Sequence, residues 1–259
     1  MKALRISGRI ALCVLGVVLI LFPDVPKLFA QLGRIGAAER LIEPDHPVVA
    51  EWSRAVDAEL PPGLTRAEQV VWIEKYVGRR LPYCHDWIQW WNADYWPTAS
   101  EAIAAGREDC DGIAVVVASV LRHRGYRARL VGNTLHIWVA VDDTGQEILG
   151  ALEDKAYASD LGWSLPRFST LLEGVRFGLA EFPWFRWALL LAWPLGVISW
   201  GSRRRVVRSV AAGVVALGLA IAAALLFSST LFGISVVALL PALIGFEIWT
   251  FRAAHAAGH

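Results

Sequence analysis

The chain has 259 residues, a formal net charge of +1, 56% hydrophobic residues and a mean hydropathy of +0.44. That apolar content is high for a soluble protein. Of the 24 acidic residues, 23 fall between Asp24 and Glu181, where 16 Lys and Arg leave a net charge of −7. The polar block is therefore acidic, and the basic residues outside it flank apolar runs, which excludes a nucleic-acid partner.

The chain opens "MKALRISGRIALCVLGVVLILFP". Lys2, Arg5 and Arg9 precede an apolar run from Ile10 to Phe22. A signal peptide shares this shape, but Pro23, Asp24 and Pro26 stand where a small-residue cleavage site would follow. The reading is an uncleaved transmembrane anchor within residues 1–30, with Cys13 inert inside it.

Residues 31–60 read as a connector with short helical pieces, broken at Pro61-Pro62-Gly63. A capping box, Thr65 with Glu68, starts a helix whose apolar stripe is Val70, Val71, Ile73, Tyr76 and Val77. An aromatic loop follows, with Trp87, Trp90, Trp91, Tyr95 and Trp96, and Ser100 is placed to cap a short helix ending at Gly106. "REDCDGIAVVVASVLRHRG" predicts a helix from near Cys110 to just before Gly125, with Ile113, Val116, Val117, Val120 and Leu121 facing inward. "YRARLVGN" reads as a strand, and "LHIWVAV" and "QEILGALE" as a hairpin around "DDTG".

The C-terminal third is apolar again. Phe182–Trp200, Ser209–Phe227 and Ile234–Phe251 each approach the ~20 residues that a helix needs to cross a bilayer. Pro194 and Pro241 would kink their helices. Glu247 is an intramembrane carboxylate, read as lying near an interface. Lys2, Arg5 and Arg9, the Arg203, Arg204, Arg205 and Arg208 cluster, and Arg252 all face the cytoplasm if there are four spans with both termini inside. Residues 31–181 then form an extracytoplasmic domain, periplasmic or extracellular, and residues 182–259 form three transmembrane helices. The sequence-level assignment is an α+β domain plus about four transmembrane α-helices in a bacterial inner membrane.

The run "DYWPTASEAIAAGREDCDGIAVVVASVLRHRGYRARLV" followed by "HIWVAV" resembles the transglutaminase-like superfamily, which shares the papain-like cysteine protease arrangement. It is especially similar to the bacterial cysteine-peptidase branch. The likeness spans about Thr65 to Asp154 and does not reach the four spans. It implies a nucleophile at Cys110 and a base at His136.

The residue chemistry agrees with those roles. A thiol attacks as thiolate, and a helix N-terminus favours that anion. An imidazole takes the thiol proton and returns it to the leaving amine. The Cys110 amide at a helix start suits an oxyanion. The alternatives are a buried thiol at Cys110 and a strand histidine packed on a Trp at His136.

The family's third member, an acid, is less clear here. With a tight turn over Asp142–Gly145, Ala151 and Gly150 fall opposite His136 and Ile137, and neither can orient an imidazole. Asp154, or failing that Glu153, can reach it after a bulge. The likeness also implies calcium at Asp109 and Asp111, although this chain has Gly112 where the branch has a further acid. The other reading of that pair is two solvated carboxylates at a helix N-terminus. A Cys84–Cys110 disulfide would block the nucleophile. "YCHDW" cannot form a triad from adjacent residues and lacks the further ligands that zinc needs.

Two functions follow as expectations. One is a membrane-anchored cysteine hydrolase or acyltransferase acting on protein or peptide amides at the cell surface. The other is a non-catalytic binding module of the same fold within a membrane-protein assembly.

Overall fold

The computed structural model describes residues 2–34, 37–132, 136–150, 157–158, 162–163 and 181–199. The chain divides into two compact units, one formed by Leu21–Leu171 and one joining Met1–Ile20 with Leu172–His259.

In the terminal unit, helix α1 (Lys2–Leu21) covers the N-terminal apolar run. Helix α8 (Trp184–Ser199) covers the first C-terminal run and contains Pro194. The Trp193 indole N–H donates to the Leu12 carbonyl at 3.0 Å. A Cβ on Gly16 would overlap that indole, so the missing side chain is what lets the ring reach α1. Among the described residues no single helix is long and apolar enough to cross a membrane; only a bent pair, Ser7–Leu21 with Val25–Arg34, meets that description together. The expected spans Ser209–Phe227 and Ile234–Phe251, with Glu247 and Pro241, lie outside the described residues.

The 21–171 unit is a mixed helix and sheet structure. Helix α2 (Val25–Arg34) leads to a 3-10 turn at Ala38–Leu41 and helix α3 (Pro47–Glu59). The connector expected over 31–60 thus holds a thirteen-residue helix. Pro47 sits in its first turn, where its fixed φ suits a helix start, and His46 caps it by accepting from the Val48 N–H. Helix α4 (Arg66–Arg80) begins at the Thr65–Glu68 capping box. A single turn, α5 (Asp86–Gln89), precedes helix α6 (Ala99–Ala105). The α6 cap is Thr98, which forms a capping box with Glu101, rather than Ser100; Gly106 closes the helix in the left-handed region. Helix α7 runs Cys110–His123.

Strands β1 (Ala128–Gly132), β2 (Ile137–Val141), β3 (Gln146–Ile148), β4 (Tyr157–Ala158) and β5 (Gly162–Trp163) form one sheet in the order β3-β2-β1-β4-β5. Every neighbouring pair is antiparallel. The β2–β3 register, Val139 opposite Ile148 and Val141 opposite Gln146, is the one a tight turn over 142–145 dictates.

α7 is the spine of the domain. Every residue from Asp111 to Leu121 except Ile113 is buried. Its apolar face meets Val49 and Val56 of α3, Ile73 and Val77 of α4, Ala99 and Ala102 of α6, and Leu130, Val139 and Val141 of the sheet in one core. Burying each such Val, Leu or Ile is worth about 1.5–3 kcal/mol, so the core fixes α7, and α7 fixes where Cys110 begins.

Candidate active site

Cys110 is the first residue of α7 and Asp109 is its N-cap, accepting the Asp111 N–H at 3.2 Å. Among the first four amides of the helix, Gly112 donates to Asp111 Oδ1 and Ile113 to the Asp109 carbonyl. The Cys110 amide is the one left to donate to an oxyanion. On the sheet side, the Ile137 main-chain N–H lies near enough the Cys110 sulfur to lower its pKa. The structure thus seats the sulfur against the residue that follows His136, joining the helix and strand that the sequence singled out.

His136 stands just before β2. Its Nε2 is hydrogen-bonded to the Leu149 carbonyl. The ring also lies parallel to Trp138, two residues on, with centroids 6.2 Å apart. The strand histidine therefore does stack on a Trp, and the stacking is compatible with the Nε2 hydrogen bond to Leu149. Trp138 is fully buried and donates its indole N–H to Glu147 at 2.9 Å. Asp154 and Glu153 lie outside the described residues.

Cys84 and Cys110 are both free thiols, so the disulfide that would have blocked the nucleophile is not formed. Cys84 is buried, with its sulfur facing the His85 carbonyl. His85 is stacked on Trp87 at 4.1 Å and sits edge-on to Tyr83.

The largest departure from the sequence expectation is an acidic cluster around the head of α7. Carboxylate oxygens of Asp86, Asp94 and Asp111 lie within 4.8 Å of one another, and so do those of Asp86, Glu108 and Asp109. Asp86 is brought in by a local pairing, in which Cys84 N–H donates to the Glu108 carbonyl and Glu108 N–H to that of Pro82. Asp94 is held from α2, since Gln31 Nε2 donates to its Oδ2 at 2.8 Å while Gln31 Oε1 accepts the Trp96 N–H.

Asp86 Oδ2 accepts the Tyr95 N–H at 2.7 Å, but its Oδ1 is buried without a partner. Asp111 Oδ2 and both Glu108 oxygens are in the same condition. Burial, reinforced by the Asp109 charge, pushes Asp86 up to about 10. Asp94 is exposed as a residue, but lost hydration at its carboxyl, and then the Asp109 charge, raise it to about 6. Burial takes Glu108 to about 8 and drives Asp111 well above the usual carboxylate range. The Cys110 thiol is pushed up to about 12, first by burial and then by Asp109, against a lowering by the Ile137 amide.

Orphaned, crowded, hard oxygen donors are what a calcium ion takes as ligands. Asp109 and Asp111, expected from the sequence, share the cluster with three carboxylates that sequence reasoning passed over: Asp86, Asp94 and Glu108. A Cβ on Gly112 would stand 2.5 Å from Glu108 Oε2. Glu108 therefore fills the space that a side chain at 112 would take. The cluster keeps a carboxylate there although residue 112 is glycine. The signal was the glutamate two residues before the cysteine, readable only once its side chain is known to fold back over the helix head.

No family model, curated protein or solved structure was found to match the chain.

Proposed function

We propose that the chain is a membrane-anchored cysteine hydrolase or acyltransferase of transglutaminase-like kind, with its 21–171 unit outside the cytoplasm. What supports this reading is the start of α7 at Cys110, with the main-chain N–H of Ile137, the residue after His136, near enough to lower the thiol pKa.

In the reaction, His136 takes the thiol proton and the Cys110 sulfur attacks the carbonyl carbon of a peptide or side-chain amide. The Cys110 amide donates to the oxyanion that forms. The C–N bond then breaks as the imidazolium returns its proton to the leaving amine. Water, or an amine held in its place, gives a proton to His136 and attacks the thioester carbon; the C–S bond breaks, the sulfur takes that proton back as the thiol, and the acid or new amide leaves. Hydrolysis is favoured where no amine is specifically bound.

Asp86, Asp94, Glu108, Asp109 and Asp111 would hold a calcium ion. Such an ion would supply positive charge where unbalanced carboxylates now oppose the thiolate.

The test is iodoacetamide labelling of the full-length protein, with calcium and with chelator. Labelling of Cys110 near neutral pH that is lost in His136→Ala supports the enzyme. A substrate search follows from comparing the surface proteins of Cys110→Ala and wild-type membranes for uncleaved or unmodified species.

A second reading, a binding module without catalysis, is favoured by one observation: a thiol pushed up to about 12 is protonated at neutral pH. A Cys110 that stays unreactive with calcium present decides for it.

A further inference from the structure

β3 ends at Ile148, and the next two residues both take positive φ, Leu149 at 69° and Gly150 at 72°. For Leu149 this region is unfavourable, because its Cβ crowds the backbone. Strain of this kind persists only where surrounding contacts over-determine it, and it gathers at functional positions. The contacts are present. Glu74 Oε1, on α4, accepts the Leu149 N–H at 2.9 Å. The Leu149 side chain packs on the core. Gly150 takes its own positive φ without the penalty a Cβ brings, and it lies against the ring, where a Cβ would be in ordinary contact, 3.5 Å from His136 Nε2.

The left-handed pair turns the Leu149 carbonyl onto His136 Nε2. A carbonyl oxygen only accepts, so in the neutral ring the proton sits on Nε2 and the lone pair on Nδ1. That is the division of labour a side-chain acid imposes in a nucleophile–His–acid triad. We propose that the Leu149 carbonyl is the group that orients His136, and that Glu74 is a positioning residue that fixes it by holding the N–H on the other side of the Leu149 Cα. The proposal rests on the reading of Cys110 and His136 as nucleophile and base.

The test is ¹⁵N-histidine NMR of the full-length chain in nanodiscs, at a pH where the rings are neutral, with His136→Asn to assign the signal. The expected wild-type result is a protonated Nε2 and an unprotonated Nδ1 at His136. Glu74→Ala mixes the two tautomers and slows iodoacetamide capture of Cys110 about tenfold. Glu74→Gln, which keeps a carbonyl oxygen at the same reach, restores both.

Wild-type protein with the proton on Nδ1 overturns the proposal without recourse to any variant. So does Glu74→Ala with tautomer and capture rate unchanged. Cys110 capture that depends on His136 but not on Glu74 ends the positioning role alone. Capture that ignores His136→Ala ends the catalytic reading, and this role with it, whatever the tautomer.

Discussion

The head and the body of α7 obey opposite rules. From Val115 to Val117, and again at Val120 and Leu121, the helix buries apolar side chains against three helices and a sheet, and each residue there serves stability. At Asp109 to Asp111 the same helix brings a thiol and two carboxylates together with Asp86, Asp94 and Glu108. Buried oxygens of Asp86, Glu108 and Asp111 have no partner. Such an arrangement costs folding free energy. The difference teaches where to look for chemistry, because local rules are broken at one end of an element whose other end keeps all of them.

The sharpest way to separate the two ends is a pair of substitutions with opposite outcomes. Cys110→Ala should lower amide turnover by about a thousandfold or more while leaving the melting temperature unchanged or raised. Val117→Asp, seven residues on, should cost about 4 kcal/mol or more by burying an unpaired carboxylate in the core. Denaturant titration beside a labelling assay reads both. Loss of stability in Cys110→Ala would break the comparison.

A smaller effect is the dependence on pH. Asp86, Asp94, Glu108 and Asp111 all hold protons in the folded state at pH values where the unfolded chain has lost them. Stability without calcium is therefore highest below about pH 4 for this cluster and falls as pH rises through the raised values. Between pH 5.5 and 8, in chelator, the melting temperature should drop by about 3 °C or more. Asp111→Asn should flatten that slope, and calcium should cancel it at pH 8 by binding only the folded state. A melting temperature that climbs with pH in chelator would contradict the cluster.

The smallest and most local change is at Gly112. Gly112→Ala should push Glu108 aside and weaken calcium binding about tenfold, with little change in the fold. Glu108→Gly combined with Gly112→Glu moves the carboxylate from one position to the other and should recover much of the affinity. Isothermal titration with calcium measures both. Unchanged affinity in Gly112→Ala would remove Glu108 from the set.

Much of this was legible in the sequence because it depends on side-chain pattern. The Thr65–Glu68 box, the start of a helix at Cys110 and the turn over Asp142–Gly145 are local signals, and the structure has each of them. The packing of α7 against β2 in one core joins two elements that the sequence already marked as helix and strand. The α3 helix was missed because its apolar positions, Val49 and Val56, are spaced among polar ones that hide the stripe. The cap of α6 was misplaced by two residues because Thr98 and Ser100 are both good caps and only Thr98 has a glutamate three positions on. Asp86, Asp94 and Glu108 converge through long-range folding that no spacing reveals. The Leu149 carbonyl is invisible in principle, since every residue has one, and its aim depends on a backbone angle that leucine seldom adopts.

Gln31 has a mechanical consequence. Its amide grips Asp94 with one end and the Trp96 peptide with the other. Just before it, Leu21 accepts the Ala93 N–H, and Asp24 and Asn92 exchange two hydrogen bonds. Residues 21–31 therefore fasten 92–96, the segment that delivers one carboxylate of the cluster. Gln31→Ala would free the far end of that segment and leave Asp94 to find its own place, without removing any side chain of the apolar core.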